Sequence, residues 1–135
     1  MTTLEIEWRH LDLDGGTCLR CSRTGRTLRQ AVAELAGELK PRGVKLSFIE
    51  TTLPEEGIEQ SNMILINGRP LEDVLADAEA GESYCSSCSC LTGREAYCRT
   101  IHRDGKTYEE IPEDIIREAV FAALDMKPDA REERR

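Results

Sequence analysis

The stretch LEIEWRHLDLDGGTCLRC, from Leu4 to Cys21, joins an alternating apolar-polar run to a paired-cysteine motif. Leu4, Ile6 and Trp8 alternate with Glu5 and Glu7, the period of a strand with one buried face. Leu11 and Leu13 fall on the opposite parity from Trp8, which predicts a bulge or a strand end near His10. Asp14-Gly15-Gly16 signals a turn, and Cys18-Leu19-Arg20-Cys21 follows at once.

Reading outward, Thr27 to Gln30 matches a capping box, so a helix is expected to start near Thr27. Leu28, Ala31, Val32, Leu35 and Leu39 repeat at three and four residues along it, and Pro41 and Gly43 stop it. Val44, Leu46 and Phe48 alternate as a second strand, completing a βαβ unit with the usual right-handed crossover. Pro54 to Gln60 is acidic and irregular. Met63-Ile64-Leu65-Ile66 is a short continuous apolar run, as in a strand buried on both faces. Asn67-Gly68 is a hairpin turn, returning through Arg69-Pro70, and Pro70 confines that return strand to a sheet edge. A short helix is expected from Leu71 to about Ala80. Arg99 to Tyr108 reads as a hairpin turning at Asp104-Gly105. Pro112 opens a last helix whose buried stripe is Ile115, Ile116, Ala119, Val120, Ala123 and Leu124.

These elements make an α+β chain with the β-α-β-β-α core order of a thioredoxin-like fold. Its 135 residues suit a single domain, here residues 1–125, with a cysteine-rich loop and hairpin inserted at 81–111 and a charged, flexible tail at 126–135. A net charge of -8 argues against nucleic-acid or anionic-membrane partners. No apolar stretch reaches the roughly 20 residues that span a bilayer. Met1 to Glu5 lacks the basic and apolar regions of a secretory signal, so a cytoplasmic, thiol-reducing compartment is expected. Six cysteines in such a chain point to metal or redox chemistry rather than to disulfide staples.

The segments CLRCSRTGRTLRQAV, SNMILINGRPLEDVL and YCSSCSCLTGREAYCRTI resemble a family of thioredoxin-like proteins, the DUF2703 domain family. The resemblance runs from about Leu4 to Leu124. It implies a thioredoxin-like fold with the first CxxC after the first strand. Ser61-Asn62 stands where thioredoxin-like oxidoreductases usually carry a cis-proline.

Cys18 and Cys21 are the candidate catalytic pair. A CxxC ahead of a helix, with local arginines such as Arg20 and Arg23, favours a thiolate, although the capping box sets the expected helix start several residues after Cys21 rather than at the pair. In the redox reading Cys18 attacks a disulfide, Cys21 resolves, and the segment from Cys85 to Cys98 relays electrons or covers the site. The partner is then a thiol-containing protein or a small redox molecule. In the alternative reading the chain is a non-enzymatic binder of a soft metal or metalloid, since thiolates suit Zn²⁺, iron–sulfur clusters, Cu(I), arsenite or mercury. Two ligand sets fit it: Cys18, Cys21, Cys85 and Cys88, or a local Cys₃His set of Cys85, Cys88, Cys98 and His102. Cys90 serves as a resolving thiol or an extra ligand. A structural zinc in a binding module is a third reading. His10 is placed to tune a nearby thiol or to pack as a satisfied histidine, and Trp8 is expected in the core. Nothing in the pattern sets the oligomeric state.

Overall fold

A computed structural model describes residues 2–12, 19–54, 62–75, 77–84, 93 and 97–125, without the side chains of residues 19–21 and 98. Strand β1 (Thr2–Leu11) leads to helix α1 (Leu19–Leu39), a 3₁₀ turn (Lys40–Arg42) and strand β2 (Val44–Leu53). Strands β3 (Met63–Ile66) and β4 (Arg69–Pro70) form a hairpin, followed by the single turn α2 (Leu71–Val74). Strands β5 (Ala78–Tyr84), β6 (Tyr97–Arg103) and β7 (Lys106–Tyr108) make a second sheet, and α3 (Glu113–Leu124) follows it.

The first sheet has the order β2-β1-β3-β4, with β1 and β2 parallel and β3 antiparallel to β1 and β4. This mixed arrangement is consistent with the thioredoxin-like α+β core expected from the sequence. Leu4, Ile6, Trp8 and His10 all point to the buried face of β1, while Glu5, Glu7 and Arg9 alternate outward. Helix α1 meets that face through Leu28, Ala31, Leu35 and Leu39, each fully buried. Ile115, Ile116, Ala119 and Val120 of α3 complete the same core. Ala123 lies outside this stripe, exposed on α3.

Three expectations are corrected. First, of the bulge or strand end expected near His10, the strand end is what stands: β1 stops at Leu11, and its register with β2 is unbroken from Thr2↔Val44 to Leu11↔Leu53, without a bulge. Leu11 is instead buried at the strand's end, where alternation no longer decides burial. Second, α1 begins at Leu19, not near Thr27. Thr24 and Gly25 are buried against the core, so tertiary packing extends the helix upstream past the local capping signal. Third, Leu71 to Ala80 is not one helix: α2 ends at Val74 and Ala78 already pairs with Arg103 in the second sheet.

The two expected hairpin turns are present, with Asn67 at φ 51° before Gly68 at φ 80°, and Asp104 at φ 52° before Gly105 at φ 76°. Such left-handed pairs match the twist of the strands they join. The second sheet is tied to the core by ion pairs: Arg99 of β6 meets the buried Glu72 of α2, and Arg103 bridges Asp77 and Glu118. No described helix is long and apolar enough to cross a membrane.

Candidate functional site

The carboxyl end of β1 brings His10 beneath the first half of α1. His10 is 3% exposed and stacks on Trp8, with ring centroids 4.0 Å apart and planes inclined by 20°. The two residues are neighbours on one face because strand side chains alternate. Its Nε2 lies 2.6 Å from Glu50 Oε2, and its Nδ1 lies 3.3 Å from the Leu11 carbonyl oxygen. Both of these atoms accept hydrogen bonds. A neutral imidazole ring can satisfy one of them, a doubly protonated ring both.

Glu50 comes from the neighbouring parallel strand, where it is the register partner of Trp8. Arg29 of α1 donates to Glu50 Oε1 at 2.7 Å and stands 5.3 Å from the centre of the Trp8 ring. The Arg29 hydrogen bond, aided by the one from His10 and opposed by partial burial, holds the Glu50 carboxyl below its ordinary value of 4.5. Trp8, His10, Ser22, Arg26, Arg29 and Glu50 together line an open cleft of about 330 Å³. Ser22, Arg26 and Arg29 share one side of α1 through helical spacing.

Trp8 also anchors a buried polar chain. Its Nε1–H donates to Asn62 Oδ1 at 3.3 Å, and the Asn62 amide donates to Thr24 Oγ1 at 3.2 Å. The Ile111 backbone N–H donates to the same hydroxyl at 3.2 Å. Asn62 holds φ 63°, a left-handed conformation that asparagine tolerates better than most residues. It therefore ties β1, α1 and the entry to α3 together immediately before β3.

Of the predicted site residues, Cys21 falls in the first turn of α1, next to Ser22 in the cleft. Cys18 is the residue before that helix and lies outside the described residues, as do Cys85, Cys88 and Cys90. Cys98 is on β6 opposite Ser83, one step inside the Tyr84↔Tyr97 pair. Those tyrosines are 51% and 46% exposed and meet edge to face at 6.0 Å, beside the cysteine-rich segment rather than in the core. His102 is exposed on β6, with Nδ1 3.2 Å from Thr107 Oγ1. Cys98 and His102 are four steps apart on one extended strand, a Cα separation of roughly 13 Å. One zinc ion holds its ligand atoms at about 2.0–2.3 Å. That separation weighs against Cys98 and His102 sharing one ion. Among the described residues no group of three or more His, Cys, Asp or Glu side chains is placed to hold a metal.

Helix α1 and strand β5 each reach the segment before α3. Arg23, two residues after Cys21, pairs with Glu110 at 2.8 Å, and Ser83, opposite Cys98, donates to Glu109 at 3.4 Å. Arg26, Arg29 and Glu50 were not singled out by sequence reasoning, and Asn62 only as part of the Ser61-Asn62 pair at the usual cis-proline place. Extending the alternation of Val44, Leu46 and Phe48 by one step would have placed Glu50 on the same face as His10. No local signal marks Asn62.

A protein of Archaeoglobus fulgidus described as uncharacterized is 35% identical over 117 residues, covering 84% of this chain and 82% of its own length. No solved structure matches the chain. The family described as "Domain of unknown function (DUF2703)" matches residues 4–120. The family match takes in well over half of the sequence: the chain belongs to the DUF2703 family.

Proposed function

We propose that this chain performs thiol–disulfide exchange at Cys18 and Cys21 in a reducing cytoplasm. The observation that carries this reading is the start of α1 at Leu19, which sets Cys21 in the first helical turn and Ser22 in a cleft with the His10–Glu50 pair. Backbone N–H groups at a helix start favour a thiolate over a thiol. The same cleft keeps His10 hydrogen-bonded to Glu50, so its floor is polar and fixed.

In the exchange, the Cys18 thiolate attacks one sulfur of a disulfide, forming a mixed disulfide and releasing one thiolate. The Cys21 thiolate then attacks the Cys18 sulfur and releases the second. The substrate gains two electrons, Cys18 and Cys21 become a disulfide, and the released thiolates take protons from water. A dithiol reductant returns the protein to its starting state. With dithiothreitol as that reductant, Cys18→Ser should abolish the acceleration of small-disulfide reduction over dithiothreitol alone, while the melting temperature holds. An unchanged rate in Cys18→Ser would sink the reading.

A second reading, binding of a soft metal by Cys18, Cys21, Cys85 and Cys88, is favoured by the convergence of Arg23 and Ser83 on Glu110 and Glu109. It predicts stoichiometric metal in anaerobically purified protein, with masked thiols released by a chelator. Thiols that emerge in pairs only after reductant, with no metal present, decide for exchange chemistry.

A further inference from the structure

The cleft beside α1 carries a charge opposite to that of the chain. Glu50 is matched by Arg29, with His10 on its second oxygen. Arg26 lines the same cleft and makes no ion pair among the described residues. Counting Arg26 and Arg29 against Glu50 leaves one uncompensated positive charge, in a chain whose net charge is -8. Two guanidiniums and a serine hydroxyl on the lining of one cleft offer several donors, with those of Arg26 not spent on an ion pair among the described residues, and such donors suit planar oxyanions. The volume, about 330 Å³, falls within the range of small-molecule sites. A single surplus cation matches a singly charged group better than a phosphate dianion.

We propose that this cleft binds the carboxylate of a small acidic disulfide, with Arg26 as its principal anchor. Arg29 and Ser22 frame the group, and the disulfide end of the molecule extends toward the start of α1, where Cys21 lies. The identity of the substrate as a disulfide rests on the thiol-exchange reading; the carboxylate site does not. Arg26 is a binding residue here and takes no part in electron transfer.

The test separates the two ideas. Binding is measured by calorimetry on the full chain with 3,3′-thiodipropionate, a dicarboxylate thioether that cannot exchange, and with neutral 2,2′-thiodiethanol. The dicarboxylate should bind at least tenfold more tightly than the diol. Arg26→Gln should erase most of that difference, while Lys45→Gln, an exposed cation on β2, should leave it intact. Turnover is measured with 3,3′-dithiodipropionate and with bis(2-hydroxyethyl) disulfide. Arg26→Gln should raise KM about tenfold for the acid and leave kcat within about twofold, whereas Lys45→Gln should change turnover of neither disulfide. Equal binding of the two thioethers, or equal effects of Arg26→Gln and Lys45→Gln, overturns the carboxylate site. Arg26-dependent binding of the dicarboxylate without turnover of either disulfide upholds the site and refutes the exchange reading instead.

Discussion

Gly25→Ala should destabilise the protein even though it replaces a helix-interior glycine. In an open helix this exchange gains about 1 kcal/mol, because alanine loses less backbone entropy on folding. At Gly25 the added Cβ would lie 2.3 Å from Trp8 Cη2, 2.7 Å from Cζ3 and 2.8 Å from Cζ2. Trp8 is 1% exposed, is stacked on His10 and is hydrogen-bonded to Asn62, so its ring has little room to retreat. Overpacking of this kind costs about 1–3 kcal/mol, and contacts this short belong at the upper end or beyond. After the helix gain, a net loss of about 2 kcal/mol is expected, or roughly 6–10 °C in Tm for a chain of this size. Gly37→Ala supplies the control, because nothing lies within 4 Å of a Cβ built there. It should raise Tm by a few degrees, on the order of the helix-propensity gain. Both variants are followed by urea and thermal unfolding, with emission from Trp8, the chain's only tryptophan, reporting the ring's surroundings. If Gly25→Ala stabilises as much as Gly37→Ala, with unchanged Trp8 emission, the close packing of α1 on Trp8 is wrong.

Asn62→Ala leaves the buried Trp8 N–H without its acceptor and puts alanine at φ 63°; a loss of about 2–4 kcal/mol in urea unfolding is expected. Asn62→Asp, which keeps that acceptor, should fall between Asn62→Ala and wild type, and equal losses in the two would discount the hydrogen bond. Glu72→Ala strands Arg99 in a partly buried setting and should cost about 3 kcal/mol, with amide exchange rising first in β5 and β6; protection lost uniformly would discount this tie between the sheets. The depressed Glu50 carboxyl contributes stability that is complete above its ordinary value of 4.5 and is lost as pH falls through its lower folded value. Arg29→Gln should therefore flatten the fall in stability below about pH 4.5, and an unaltered slope would show that Arg29 does not hold Glu50 ionised.

Where a residue's own period or turn chemistry decided its place, it was legible beforehand. The alternation of Leu4, Ile6 and Trp8, the Asn67-Gly68 and Asp104-Gly105 turns, and the stripe from Ile115 to Val120 all stand where expected. The misreadings arose where local and tertiary preferences diverge. Thr27 and Gln30 mimic a capping box inside a helix that burial of Thr24 and Gly25 extends to Leu19. Ala78 and Ala80 are neutral between helix and strand, and pairing with β6 chose strand. The cleft was half legible: His10 stood out, whereas Glu50 and Arg29 reach it only through strand register and helix packing, which no short window of sequence contains.

The position of β1 has a further consequence. It is bonded to β2 along all ten of its residues and to β3 at Ile6 to Arg9. Amides of a strand paired on both sides in the middle of a sheet exchange with solvent largely through opening of the whole domain. The floor of the cleft is thus among the slowest-exchanging parts of the molecule, and ligand binding has little backbone to order there. What binding must immobilise is the exposed Arg26 side chain on the opposite wall, at an entropy cost of up to about 2 kcal/mol. Affinity in this cleft is accordingly governed by one long side chain above a stationary plate.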